Sequence, residues 1–243
     1  MSINPRYSRL VAALLWPVVL VQARRVRQVI PHLPDAARPW TGEIEGKDPF
    51  RILVLGDSTA AGVGSDTQDN ALPGNLARAL AADWKRGVSW RAVGENGATS
   101  EALVRRYLDE ATAEKYDLVF VTVGANDAIQ LRSRGAFRRN FRTILQRLRS
   151  VNPSALILVS SLPGFSQFTA LPNPLRWALH LHARSLEAVA RAVVRSETGV
   201  VMSPPAPEYT EGFFASDRFH PSPQGYRDWV DFALSDAKLL RNS

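Results

Sequence analysis

From residue 51 onward, short runs of branched apolar side chains alternate with longer segments whose apolar residues recur three and four positions apart. The strand-like runs are RILVLG (51–56), WRAVG (90–94), DLVFVTVG (117–124), ALILVSS (155–161) and GVVMS (199–203). Helical periodicity falls on LPGNLARALAADW (72–84), SEALVRRYLDEATAE (100–114), GAFRRNFRTILQRLRS (135–150) and PLRWALHLHARSLEAVARAVVRSE (174–197), with a last stretch over 224–240. Strands that are apolar on both faces and joined by helix-length connections pair in parallel, with helices covering both sides of the sheet. The pattern predicts a three-layer α/β/α sandwich around a central, mostly parallel five-stranded sheet, spanning 51–243.

At 243 residues the chain can bury one large core without needing a second domain. It has no cysteine, which excludes disulfides, thiolate nucleophiles, iron–sulfur clusters and sulfur-ligated zinc, and leaves the redox compartment open. The formal charge of +7 is compatible with nucleic acid or with anionic lipid. No RNA- or DNA-binding module accompanies it, so no nucleic-acid partner is expected. Arg134, Arg138 and Arg142, four apart, read as a solvated helix face or as a stripe toward anionic lipid.

Residues 1–50 differ from the rest. Arg6 and Arg9 precede the apolar run LVAALLWPVVLV (10–21), which is followed by Arg24, Arg25 and Arg27 and a Pro-rich stretch. The run is too short for a membrane span, which takes about 20 residues. A secretory signal is disfavoured by the missing pair of small residues at a cleavage point and by the arginines that follow. Three readings stay open: an interfacial segment on an anionic membrane surface, a helix docked on the domain, and a processed signal. The expected location is accordingly bacterial-type, membrane-associated or cytoplasmic.

In an open α/β sheet, ligands bind beyond the carboxyl ends of the strands. Four polar blocks fall there. The first run ends in GDST with Asp57 and Ser58, the second leads into NGAT with Gly97, the third ends in GAND with Asn126 and Asp127, and DRFH carries Asp217 and His220 near the end of the chain. Taken singly, each reads as a turn, a cap or a surface pair. Together they offer a hydroxyl, an imidazole, a carboxylate and donors for an oxyanion, the requirements of acyl transfer through a serine. The other histidines serve poorly: His32 lies in the N-terminal segment, and His180 and His182, two apart on a helix, do not share a face for a metal.

These blocks, in this order and at strand ends over about 51–235, resemble those of the SGNH hydrolases, the GDSL-type lipases and esterases. GDST stands where many members have GDSL or GDSI. The resemblance implies a flavodoxin-like hydrolase fold and a serine ester hydrolase that works through an acyl-enzyme without metal or organic cofactor. Carried onto this chain, it makes Ser58 the nucleophile, His220 the base, Asp217 its orienting carboxylate, and Ser58, Gly97 and Asn126 the oxyanion hole. The substrate is expected to be a small-molecule or lipid ester, with short- to medium-chain acyl or aryl groups foremost. Lysophospholipase, thioesterase and carbohydrate O-deacetylase activities are alternatives within the class, and a non-catalytic, membrane-associated ligand-binding module is the alternative outside it. Phe165, Phe168, Leu171, Trp177, Phe213 and Phe214, in or beside the two long loops, suggest an apolar wall for such a substrate or anchors for the loops themselves.

Overall fold

The computed structural model describes residues 4–235. The strands are β1 (Thr41–Ile44), β2 (Phe50–Gly56), β3 (Val88–Gly94), β4 (Leu118–Thr122), β5 (Leu156–Val159) and β6 (Val200–Met202). They form one sheet in the order β1-β3-β2-β4-β5-β6. All neighbours are parallel except β1, which runs antiparallel to β3. The sheet thus has six strands and not the five read from the sequence. The extra one, TGEI, comes from the N-terminal segment. It carries a glycine and a glutamate, has no apolar periodicity of its own, and is a strand because β3 offers an unpaired edge.

The helices are α1 (Ser8–Leu14), α2 (Trp16–Val29), α3 (Leu72–Trp84), α4 (Ser100–Ala102), α5 (Leu108–Ala111), α6 (Ala125–Ile129), α7 (Arg134–Val151), α8 (Leu175–Val194) and α9 (Pro223–Ser235). A π-helical turn over Leu103–Tyr107 joins α4 to α5. The expected helix over 224–240 is present to Ser235; its remainder lies outside the described residues.

Alternate side chains of one strand feed two different cores, which is why the strands read as continuous apolar runs. Leu53 and Leu55 of β2, Val119 and Val121 of β4, and Ile157 and Val159 of β5 face α7 and α8, against Phe137, Phe141, Leu148, Leu186 and Val189. Ile52 and Val54, Leu118 and Phe120, and Leu158 face α3 and α9, against Leu72, Leu76, Tyr226 and Val230. α1 and α2 pack on the outside of α8.

Register fixes where the chemistry can sit. Gly56 pairs with Gly94 on one side and with Thr122 on the other, so β2, β3 and β4 end level. From β2 the chain crosses first to β3 on one flank and later to β4 on the other, which opens a crevice beyond the carboxyl end of β2. Residues 57–58, 95–97 and 124–126 all leave the sheet at that crevice.

Candidate active site

Ser58 sits two residues past the end of β2, in a tight turn held by Ala60 N–H to Asp57 O (3.0 Å) and Val63 N–H to Ser58 O (3.0 Å). The Asp57 side chain turns inward and accepts from Thr59 N (3.2 Å) and Thr59 Oγ1 (3.1 Å). Burial pushes its pKa up to about 6, against the lowering effect of the Thr59 hydrogen bonds and of nearby His220. Asn126, at the start of α6, donates its amide to Ala98 O (3.1 Å) and, at 3.5 Å, to Asp57. Asp57 and the backbone after Gly97 therefore hold the Asn126 amide beside the Ser58 turn.

Gly97 adopts φ +82°, and a side chain there would meet nothing within 4 Å. Its requirement is conformational, because a β-carbon disfavours this left-handed backbone. Gly64 is constrained differently: a β-carbon would stand 2.2 Å from Pro221 O, so the turn after Ser58 and the loop holding His220 touch backbone to backbone. Tyr226 Oη donates to Val63 O (2.7 Å) from the buried face of α9 and fixes the same junction.

Asp217 and His220 form a compact unit. One carboxylate oxygen of Asp217 accepts from Phe219 N (2.9 Å) and His220 N (3.0 Å), and the other meets His220 Nδ1 at 2.6 Å. Burial alone would raise the Asp217 pKa, but the hydrogen bonds from the His220 ring and from these two backbone N–H groups outweigh it and hold the carboxyl below its ordinary value. An ionised Asp217 accepts only, so the His220 Nδ1 carries the proton and Nε2 presents its lone pair.

Ser58 and His220 line one cavity of about 160 Å³. No hydrogen bond within 3.5 Å joins their side chains, and catalytic contacts of this kind are commonly long before substrate is bound. The surface the cavity presents is mostly apolar and includes seven aromatic rings, Phe165 and Phe168 from the 162–173 loop, Tyr209, Phe213 and Phe219 from the 203–223 loop, and Trp229 and Phe232 from α9, with Ser160, Glu208, Thr210 and Asp228 among the polar groups between them. The rings pack on one another, Phe168 against Phe219 at 5.2 Å and Tyr209 against Phe213 at 4.3 Å between centroids. Of the aromatic wall expected from sequence, Phe165, Phe168 and Phe213 line the cavity and Phe214 supports it from behind, against Phe168 and Tyr209. Leu171 is buried in the core, and Trp177 is 40% exposed on α8, away from the cavity. Gly97 and Asn126 stand outside the aromatic lining, on the side of Ser58 toward β3 and β4.

Sequence reasoning missed Asp35. The 36–37 stretch is pinned on the chain just after Ser58 by Ala36 N–H to Ala61 O (2.9 Å) and Ala37 N–H to Asp66 O (2.9 Å). Burial and then Glu95 raise the Asp35 pKa, while Arg38 and His220 lower it, which places this carboxylate within electrostatic reach of His220. No local pattern announces it, since the strap reaches the site only through the fold.

A second serine, carboxylate and histidine are buried nearby and do not form a relay. Ser100 donates N–H (2.8 Å) and Oγ–H (2.6 Å) to Asp127, capping the start of α4. His182 bonds neither of them; its Nε2 meets Arg132 O (3.0 Å) and its Nδ1 meets Ser8 Oγ (2.8 Å). Because a carbonyl only accepts, Nε2 holds the ring proton and Nδ1 accepts from Ser8. Burial brings the His182 pKa down to about 4. Among the described residues, no group of three or more His, Asp or Glu side chains is arranged to hold a metal ion.

The profile of the GDSL-like lipase/acylhydrolase family matches residues 54–227. A GDSL-like esterase of Mycobacterium tuberculosis is 29% identical over 244 residues, covering 89% of this chain and 75% of the relative. Among solved structures, TesA superposes with a TM-score of 0.60 at 23% identity, covering 78% of this chain and 99% of its own. An extracellular lipase from Streptomyces rimosus gives a TM-score of 0.59 at 17% identity, covering 77% and 99%. These two structural likenesses establish the fold.

Proposed function

This chain belongs to the GDSL-like lipase/acylhydrolase family and is a carboxylic ester hydrolase, and from that premise we propose that Ser58, His220 and Asp217 carry its chemistry on esters with an apolar acyl or aryl group. The observation that carries the residue assignment is that Ser58 and His220 line one cavity while Asp217 holds His220 Nδ1 at 2.6 Å. His220 Nε2 takes the Ser58 hydroxyl proton as Oγ attacks the ester carbonyl. The tetrahedral oxyanion is met by the backbone N–H groups of Ser58 and Gly97 and by the Asn126 amide, which keeps its bond to Ala98 O and turns its other N–H from the 3.5 Å contact with Asp57 to the oxyanion. Protonated His220 gives its proton to the departing alcohol, leaving the acyl group on Ser58. A water, deprotonated by His220 in turn, releases the acid and restores the serine.

The aromatic cavity beside Ser58 supports an apolar acyl or aryl group as the part of the ester that is recognised, since a sugar hydroxyl placed against these rings would lose its hydrogen bonds. Short- to medium-chain carboxylic esters fit this best. A panel of p-nitrophenyl esters from acetate to palmitate tests it, with a fluorophosphonate probe reporting the nucleophile directly. Wild type is expected to turn over the shorter and middle chains and to take up the probe, and Ser58→Ala to lose both. Retention of more than a few per cent of kcat by Ser58→Ala would refute the nucleophile. Preference for acetate with no gain from added methylenes would refute the acyl cavity and favour deacetylation.

A further inference from the structure

α1 and α2 carry two stripes. The inward one buries Ser8, Ala12 and Val19 and sets Leu15, Ala23 and Val26 on the larger core. The outward one is also apolar: Leu10 is 63% exposed, Leu14 83%, Val18 50% and Val21 65%, with Trp16 beside them at 49%. Their spacing of four, four and three lays them in one line along the helices. A docked helix accounts for the first stripe and leaves the second without cover.

The charge around this stripe has one sign. Arg6, Arg9, Arg24, Arg25 and Arg27 are exposed, none forms an ion pair among the described residues, and no aspartate or glutamate occurs between residues 4 and 34. α7 adds to it at one end: the Arg134 guanidinium pKa is lowered by burial and by neighbouring Arg6 and Arg138. Arginines at both ends of an apolar line, with an indole at its edge, match the change from headgroup to acyl chain at a bilayer surface. A second copy of the chain would set five unpaired arginines against five more. Among the described residues no helix is long and apolar enough to cross a membrane, so the segment would lie flat.

The stripe is also tied to the wall of the cavity. Gln22 donates to Asn173 O (2.7 Å) and accepts from Leu175 N (3.0 Å), which locks α2 to the start of α8. That junction ends the loop whose Phe165 and Phe168 line the cavity, and exposed Trp177 follows two residues later. We propose that Leu10, Leu14, Val18 and Val21, with the flanking arginines, form a surface that docks this protein flat on an anionic phospholipid bilayer, beside the acyl-binding loop. This surface stands independently of the catalytic residues.

The test is cosedimentation of the full chain with vesicles of phosphatidylcholine, with and without phosphatidylglycerol. Wild type is expected to pellet with the anionic vesicles and to be released only in part by high salt, because arginine–phosphate attraction is screened whereas apolar insertion is not. Leu14→Asp/Val21→Asp is expected to lower binding about tenfold or more. As both positions are exposed, its thermal unfolding and its turnover of a soluble ester should match wild type. Arg24→Gln/Arg25→Gln/Arg27→Gln should lose the preference for anionic vesicles. The proposal is overturned if wild type stays in the supernatant, or if the double aspartate variant pellets as wild type does. It is likewise overturned if wild type self-associates in sedimentation velocity, with the aspartate variant monomeric, and neither binds vesicles.

Discussion

Replacing Asp217 by asparagine probes the catalytic geometry most sharply, because the carboxylate is met by three donors from fixed directions. Two are backbone N–H groups, of Phe219 and His220, on one oxygen; the third is His220 Nδ1 on the other. An amide has one acceptor oxygen and one NH2 group. The backbone donors cannot move, so the Asn oxygen takes their place and the NH2 faces the imidazole. His220 must then present a lone pair at Nδ1 and carry its proton on Nε2, which points a donor at Ser58 where a base is required. The opposite amide orientation keeps the right tautomer but sets NH2 against two buried N–H groups, at a cost of about 1–3 kcal/mol for each unpaired group. Either way the base is lost or the loop is strained. The expected result is a fall in kcat of about 10³–10⁴, or about 4–5.5 kcal/mol of transition-state stabilisation. KM on a short p-nitrophenyl ester should change little, because the cavity lining is untouched. Steady-state kinetics between pH 6 and pH 9 measure this, with circular dichroism confirming the fold. A kcat within tenfold of wild type would refute the claim that Asp217 sets the His220 tautomer.

Two further predictions concern groups flanking the site. Asn126→Ala removes one oxyanion donor and should lower kcat by about 10²–10³ while leaving fluorophosphonate labelling of Ser58 detectable; unchanged kcat would take Asn126 out of the hole. His182, neutral between Ser8 and Arg132 with its pKa brought down from 6.5 to about 4, stabilises the fold fully above pH 6.5, and that contribution is lost as pH falls toward 4. Asp57, raised by burial to about 6, acts in the opposite sense, since acidification relieves the cost of burying its charge, so wild type must be compared with His182→Gln rather than with itself. The stability difference between the two proteins, from urea unfolding followed by tryptophan fluorescence, should shrink by about 2.5 kcal/mol between pH 7 and pH 4.5. Parallel pH profiles would refute the buried neutral ring.

How much was legible beforehand depended on the range of the interactions involved. The strand runs at 51–56, 90–94, 117–124, 155–161 and 199–203 and the helices between them appear within three residues of where their periodicity put them, except that the 100–114 stretch is broken into α4 and α5 by a π-helical turn, because a strand buried on both faces must be apolar throughout and a covering helix must repeat its apolar face every turn. The candidate catalytic residues were readable for a related reason: a parallel sheet delivers the residue after each strand to one edge, so Ser58, Gly97 and Asn126 could be grouped before any coordinates. What the sequence could not specify depends on partners far along the chain. TGEI becomes an edge strand only because β3 has a free side, and Asp35 comes near the Ser58 turn only because the residues after it hydrogen-bond to that turn. The cavity beside Ser58 is lined by Tyr209 and Phe219, whose rings meet Phe168 across more than thirty residues of chain, and by Trp229 and Phe232 of α9, while Trp177, equally aromatic, is turned to the surface. The 10–21 run announces an apolar segment of fixed length. Only its packing on α8 decides that Ala12 and Val19 are covered while Leu10, Leu14, Val18 and Val21 are not, since a helix that is apolar all round has no face of its own until a neighbour chooses one.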